Sequence, residues 1–203
     1  MPQVLLFLEI SSVVCVLAYL FLVSKQNPNA WILGGIGSLF SLVFFYGQHL
    51  YASAILNGVY AFQALLGYKT WKQANQSLIP KYRWSWWIHL MALNIFILAG
   101  IVLNHQQALM AWSSEQHLWQ FNTLYLDVLI GGLGIWATFL EIRKDLSCWW
   151  YWILSNLAYA LLYTIQSLQG SPMYAYTVLM YFLFGFSVYV QYKWSKSSKT
   201  SSI

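Results

Sequence analysis

The chain alternates between apolar runs long enough to cross a bilayer and short connections that hold its charge, and this leaves few folds open to it. The runs extend from about Val4 to Val23, Trp31 to Tyr46, Leu50 to Gly67, Trp86 to Leu103, Trp119 to Leu140, Trp149 to Gln166 and Met173 to Tyr192. Each is close to the roughly 20 helical residues that span about 30 Å of hydrocarbon. The second and third are short and divided only by Gly47-Gln48-His49. Pro28, Pro80 and Pro172 fall between runs and Pro2 precedes the first, so no proline interrupts a helix. With 60% hydrophobic and 7% charged residues, the chain reads as an all-α integral membrane protein rather than a soluble domain. The longest polar segment, about Leu103 to Trp119, is too short for a core of its own.

The basic residues set an orientation. Lys25, Lys69, Lys72, Lys81, Arg83, Arg143, Lys144, Lys193, Lys196 and Lys199 are all 10 of the Lys and Arg, and in a seven-span chain they fall on one side. The positive-inside rule then places the N-terminus outside and the C-terminus in the cytoplasm. A solvated basic face against anionic lipid accounts for the net charge of +5, with no nucleic acid partner. Cys15 and Cys148 lie in a span and beside a basic loop, which argues against a disulfide. The first run has no basic residues ahead of it and no small-residue cleavage site, so it is expected to be a retained helix.

The run from Trp149 to Gln166 carries no charge but is not uniformly apolar. Trp149, Trp152, Asn156, Tyr159, Tyr163 and Gln166 recur at three- and four-residue steps, which gathers them on one side of a helix. Such a stripe must meet protein, water or a ligand, because lipid offers its amides no partner. Flat rings for stacking and neutral amides for hydrogen bonding suit a ligand with an aromatic base and a sugar.

Sliding the chain against itself by 118 positions pairs Glu9 with Asp127, Lys25 with Arg143, Trp31 with Trp149, Gln48 with Gln166, Leu50 with Leu168 and Gly67 with Gly185. The matches lie in spans one to three and five to seven. With a single span between them, the two halves enter the membrane in the same direction, as parallel repeats do in transporters. The predicted organisation is a first three-helix repeat over residues 1–72, a linker helix and loops over 73–118, a second repeat over 119–192 and a basic cytoplasmic tail over 193–203.

Several of these residues also carry a resemblance. Glu9, Gly34, the run Leu50-Tyr51-Ala52-Ser53, Gly67 followed by Trp71, Asp127 leading to Arg143-Lys144, then Trp149-x-x-Trp152-x-x-x-Asn156, Gln166 and Gly185 resemble the PnuC family of vitamin transporters. The likeness covers nearly the whole chain, most loosely from Gln73 to Gln120. It implies a seven-helix 3+1+3 fold of two parallel three-helix repeats, similar to the SWEET sugar transporters. It implies facilitated uptake of an unphosphorylated vitamin such as nicotinamide riboside across a bacterial inner membrane, trapping by a cytoplasmic kinase that feeds NAD biosynthesis, and a homotrimer. By resemblance, Trp149, Trp152, Asn156 and Gln166 are substrate-binding. The chain departs from the nicotinamide riboside pattern at Gly37, Asn57 and Tyr68, and relatives of this fold are associated with thiamine, riboflavin and deoxynucleosides, so thiamine stands as the alternative cargo.

Each candidate also has a plainer reading. Trp149 at the inner edge fits an interfacial aromatic belt as well as a site. Asn156, about 10 Å deeper by helical rise, is either a substrate contact or an inter-helix hydrogen bond. Asn57, Tyr60 and Gln63 in span three, Asn94 in span four, and Tyr174, Thr177 and Tyr181 in span seven either line the same cavity or hold helices together. Asp127 and Glu9 are either a vestibule for a cation or structural acids. Gly34, Gly35, Gly37, Gly131, Gly132 and Gly134 read as packing residues. The histidines are not at metal-ligand spacing, so no metal and no cofactor is expected. No phosphate-binding loop and no nucleophile–base arrangement is present, which argues against an enzyme, while a membrane sensor stays open as a different class.

Overall fold

The computed structural model describes residues 2–47, 51–74, 80–110, 117–168 and 174–200. Within those ranges the side chains of residues 2, 6, 51, 52, 103–110, 117–128, 166, 174–176, 199 and 200 lie outside the description. The helices are α1 (Pro2–Ser24), α2 (Ala30–Gly47), α3 (Tyr51–Gln73), α4 (Trp86–Met110), α5 (His117–Ile142), α6 (Ser147–Leu168) and α7 (Tyr174–Thr200). One helix answers to each apolar run. Helix α3 continues past Gly67 to Gln73 and α7 past Tyr192 to Thr200, because Lys69, Lys72, Lys193 and Lys196 are good helix formers that prolong a helix beyond its apolar part.

The surface is inverted relative to that of a water-soluble protein. On α2, Ile32, Ile36, Leu39, Val43 and Tyr46 are exposed at three- and four-residue steps, and on α4 so are Trp87, Leu90, Met91, Ile95, Leu98 and Ile101. Gln63, Thr138, Glu141, Lys144, Asp145, Ser155, Asn156, Ser187 and Gln191 are buried instead. Continuous apolar faces are costly in water and required in lipid, where the polar groups must turn inward. Gln3–Ser24 and Ala30–Gly47 are long and apolar enough to cross a membrane, and Trp86–Val102 and Leu129–Ile142 are shorter apolar stretches.

The chain divides into two compact units. The first comprises Met1–Lys81, Thr138–Leu146 and Tyr192–Ile203, and the second Tyr82–Ala137 and Ser147–Gln191. A chain of rings holds the first unit: Tyr19 lies 6.0 Å from Trp31, Trp31 5.4 Å from Trp71 in an edge-to-face arrangement, and Trp71 5.9 Å from Trp194, centroid to centroid. The contacts join α1, α2, α3 and the end of α7. Trp31 is seated directly on Gly67, where a Cβ would stand 2.2 Å from its ring. In the second unit Gly132 accepts Phe96 in the same way, at 2.3 Å.

Helices α1 and α5 end in the same turn. Gln26 and Lys144 have φ of 57° and 51°. In the first turn Lys25 N bonds to Leu22 O (3.0 Å), Gln26 N to Val23 O (2.8 Å) and Asn27 N to Leu22 O (3.1 Å). In the second, Arg143 N bonds to Leu140 O (3.1 Å), Lys144 N to Glu141 O (2.9 Å) and Asp145 N to Leu140 O (2.9 Å). The two sets coincide at the 118-residue offset that relates Gln26 to Lys144. A left-handed residue closes the last helical carbonyls in each case, a conformation that costs a non-glycine residue about 1 kcal/mol. After the second turn, Lys81 N bonds to Lys144 O (3.2 Å) and Leu146 N to Lys81 O (3.3 Å), which ties the segment before α4 to the α5–α6 connection.

The glycine pair offers a direct test. Gly67→Ala drives a methyl into the Trp31 ring and should destabilise the protein by about 3 kcal/mol, the upper range for overpacking. Gly185→Ala, 118 positions further on, meets nothing within 4 Å and should be neutral or slightly stabilising. Thermal unfolding of both variants in detergent checks this, and equal effects would refute it.

Candidate functional site

Helices α6 and α7 present a neutral polar seam within the second unit. The Asn156 amide is buried and its Nδ2 donates to Ser187 Oγ at 3.1 Å, while Ser187 Oγ donates to Leu183 O at 2.8 Å. Tyr159 and Tyr163, one turn apart on α6, stack with centroids 5.6 Å apart and planes 14° from parallel. Thr164 Oγ1 donates to Ala160 O at 2.7 Å and lies 3.5 Å from the Tyr181 hydroxyl. Trp152 is half-buried, and Ser155 Oγ donates to its carbonyl at 3.3 Å. Trp149 is buried at 2% exposure, so it is not a belt residue; its neighbour Trp150, at 56%, faces out. Trp150 Nε1 and Gln191 Nε2 both donate to the Tyr82 hydroxyl at 3.3 Å. Thr177 is half-buried.

The remaining sequence-predicted residues are distributed elsewhere. In the first unit Asn57 Nδ2 donates to Ser53 O at 2.8 Å within its own helix, Tyr60 is half-buried and Gln63 is buried. Asn94 on α4 is exposed and donates to Leu90 O at 2.8 Å. Glu9 is half-buried, and its carbonyl accepts from Ser12 Oγ at 2.7 Å. The side chains of Gln166, Tyr174 and Asp127 lie outside the described residues.

Two features were missed by sequence reasoning. Ser187 is one; the other is a charged cluster in the first unit. Glu141 and Asp145 are fully buried and Lys144 is 4% exposed, although the basic residues of this loop read in the sequence as a solvated face. The Tyr19 hydroxyl donates to the Glu141 carboxylate, and Trp71 Nε1 donates to Ile142 O at 3.1 Å. The Lys144 ammonium lies 4.8 Å over the Trp71 ring and 3.4 Å from Gln26 Oε1. Desolvated cation–π contact is worth about 2 kcal/mol, and it helps to offset the burial of the ammonium. An acid two residues before Arg143-Lys144, at the end of an apolar run, was the available signal. Nearby, a cavity of about 400 Å³ is lined by Lys25, Gln26, Asn27, Pro28, Asn29, Tyr68 and Lys72, a basic setting unlike the neutral seam.

Apolar faces turned outward and polar side chains turned inward describe a helical membrane protein. The chain belongs to the nicotinamide mononucleotide transporter family, whose model matches residues 6–196. It is therefore a membrane-embedded member of a transporter family. A solved structure described as the crystal structure of the vitamin B3 transporter PnuC is similar in fold, with a TM-score of 0.68 at 19% sequence identity, covering 96% of this chain and 83% of that one. Compared with curated proteins, the chain matches none.

The buried hydroxyl–carboxylate contact is open to measurement. Tyr19→Phe keeps the ring against Trp31 and removes one hydrogen bond to a charged acceptor, so it should cost about 1.5–3 kcal/mol. Denaturation of the purified variant reads this directly, and wild-type stability would show that the contact contributes nothing.

Proposed function

We propose that the chain carries an unphosphorylated form of vitamin B3, nicotinamide riboside, into the cytoplasm by facilitated diffusion. The observation that carries this reading is the neutrality of the seam. Residues 147–192, which hold all of α6 and most of α7, contain no Asp, Glu, Lys or Arg. A phosphate brought there would find no Arg or Lys, the groups that recognise it, on α6 or on α7 as far as Tyr192. A riboside asks only for what the seam has. Trp152, Tyr159 and Tyr163 suit stacking on the pyridinium, whose positive charge gains further from π faces, and Asn156 suits a carboxamide or hydroxyl. Helices with neutral polar linings fit a carrier.

The wider arrangement follows the same reading. Helices α1–α3 and α5–α7 are taken as two parallel repeats joined by α4, a 3+1+3 fold of SWEET type, supported by the matching turns at Gln26 and Lys144. The basic connections face the cytoplasm, with the N-terminus outside and the protein in a bacterial inner membrane. A homotrimer and a cytoplasmic kinase that phosphorylates the incoming riboside for NAD synthesis rest on the family resemblance.

Calorimetry on detergent-purified protein tests the cargo. Nicotinamide riboside should bind, nicotinamide mononucleotide should bind at least about 10-fold more weakly, and Asn156→Ala should lose about 10-fold or more for the riboside. Equal or tighter binding of the mononucleotide, or binding of thiamine in place of the riboside, would overturn the assignment.

A further inference from the structure

We infer that Ser187 is a positioning residue for substrate recognition: it locks the Asn156 amide so that its carbonyl oxygen is the group offered to the ligand, and the site therefore selects a hydrogen-bond donor. This rests on the transport reading above and adds to it a residue and a polarity.

A serine hydroxyl has one proton, and Ser187 spends it on Leu183 O at 2.8 Å. Toward α6 its oxygen is left only as an acceptor, and Asn156 Nδ2 stands 3.1 Å from it. Rotating the amide by a half-turn would bring Oδ1 against Oγ. The hydroxyl would then have to leave Leu183 to donate, so one hydrogen bond would replace two. Asn156 and Ser187 are 8% and 4% exposed, which leaves little water to make up the loss. The amide thus has a fixed sense. Among the described residues no donor meets Asn156 Oδ1, and that atom is not among the sealed, unpartnered ones.

An asparagine free to turn would accept a ligand donor or a ligand acceptor alike. A fixed one discriminates. Facing Oδ1, a carboxamide N–H or a ribose hydroxyl is matched, whereas the carboxylate of the corresponding acid brings two acceptor oxygens and a negative charge. Sites built around a particular hydrogen bond reject the analogue that lacks it, because a buried polar group is then left unpaired. Ser187 touches no ligand in this scheme and acts only through Asn156.

The test is calorimetry on the full-length, detergent-purified protein with three probes: nicotinamide riboside, nicotinate riboside, in which the amide donor is replaced by acceptors, and 3′-deoxy nicotinamide riboside, in which a hydroxyl donor is removed. The wild type should bind at least one of the altered ligands about 10-fold or more weakly than the parent. The arm that fails identifies the donor. In Ser187→Ala that ratio should shrink to about threefold or less, since the amide is free to turn its N–H outward, and in Ser187→Thr, which keeps the hydroxyl, it should persist. Should Ser187→Ala not fold, Ser187→Cys takes its place under the same criterion, because a thiol is a weak acceptor. A ratio unchanged from wild type in the Ala or Cys variant, or a wild type indifferent to all three probes, would overturn the proposal. Failure of the wild type to bind nicotinamide riboside at all would overturn the cargo assignment and the proposal with it.

Discussion

Hydrocarbon gives a hydroxyl or an amide nothing to bond to, and much of this structure follows from that constraint. Two solutions are visible. Ser12, Ser24, Asn57, Asn94 and Thr164 donate to carbonyls three or four residues back in their own helices. These bonds need no second helix, and so Asn94 can sit on an exposed face. Asn156, Trp71 and Tyr19 instead reach a different element, ending on Ser187, Ile142 and Glu141. A bond of the second kind fixes how two segments meet, and it costs stability when one partner is removed because the other is left buried and alone.

That distinction also marks the limit of what the sequence discloses. Helix number and order follow from apolar length, and helix ends from proline and from clusters of basic residues; the structure adds the tails that run on to Gln73, Met110 and Thr200, the second of them into what the sequence marks as a polar segment. Asn57, Asn94 and Asn156 are the same residue in three helices, and their partners separate them. Ser187 is nearly silent in a run of aromatic and aliphatic residues, since a serine that bonds its own helix is an ordinary feature there. Lys144 misleads for another reason. The positive-inside rule assigns a side of the membrane by counting basic residues in a loop and says nothing of where each side chain goes. Glu141 and Asp145 are buried with it, and its ammonium lies over the Trp71 ring. The step from Trp149, buried, to Trp150, exposed, is a rotation of about 100° on one helix, finer than a motif alone resolves.

Two turns of the chain share a backbone design and differ in their surroundings. At the 118-residue offset the turns at Gln26 and Lys144 share φ and hydrogen bonds, which is backbone information. Side-chain information has diverged. Trp31 sits on Gly67, whereas Gly185 faces open space, and both Trp31 and its counterpart Trp149 are 2% exposed. Lys25 is exposed and carries its ammonium over Phe21 at 4.0 Å, while the loop that holds its counterpart Arg143 also holds the buried Glu141–Asp145 cluster.

On the proposed reading, charge and recognition are kept apart along the chain. The buried Glu141, Lys144 and Asp145 belong to the first unit, and the next charged residue after Asp145 is Lys193. Between them the polar side chains of α6 and α7 are hydroxyls, amides and indoles. Such a lining has two physical consequences for a carrier. Its contacts with a polar solute are each worth about 1 kcal/mol rather than the several of a buried ion pair, so the solute can be recognised without being held too tightly to leave. Selectivity must then come from the direction of hydrogen bonds and the shape of aromatic faces. A donor–acceptor sequence running from Asn156 through Ser187 to Leu183 supplies that direction with neutral groups alone.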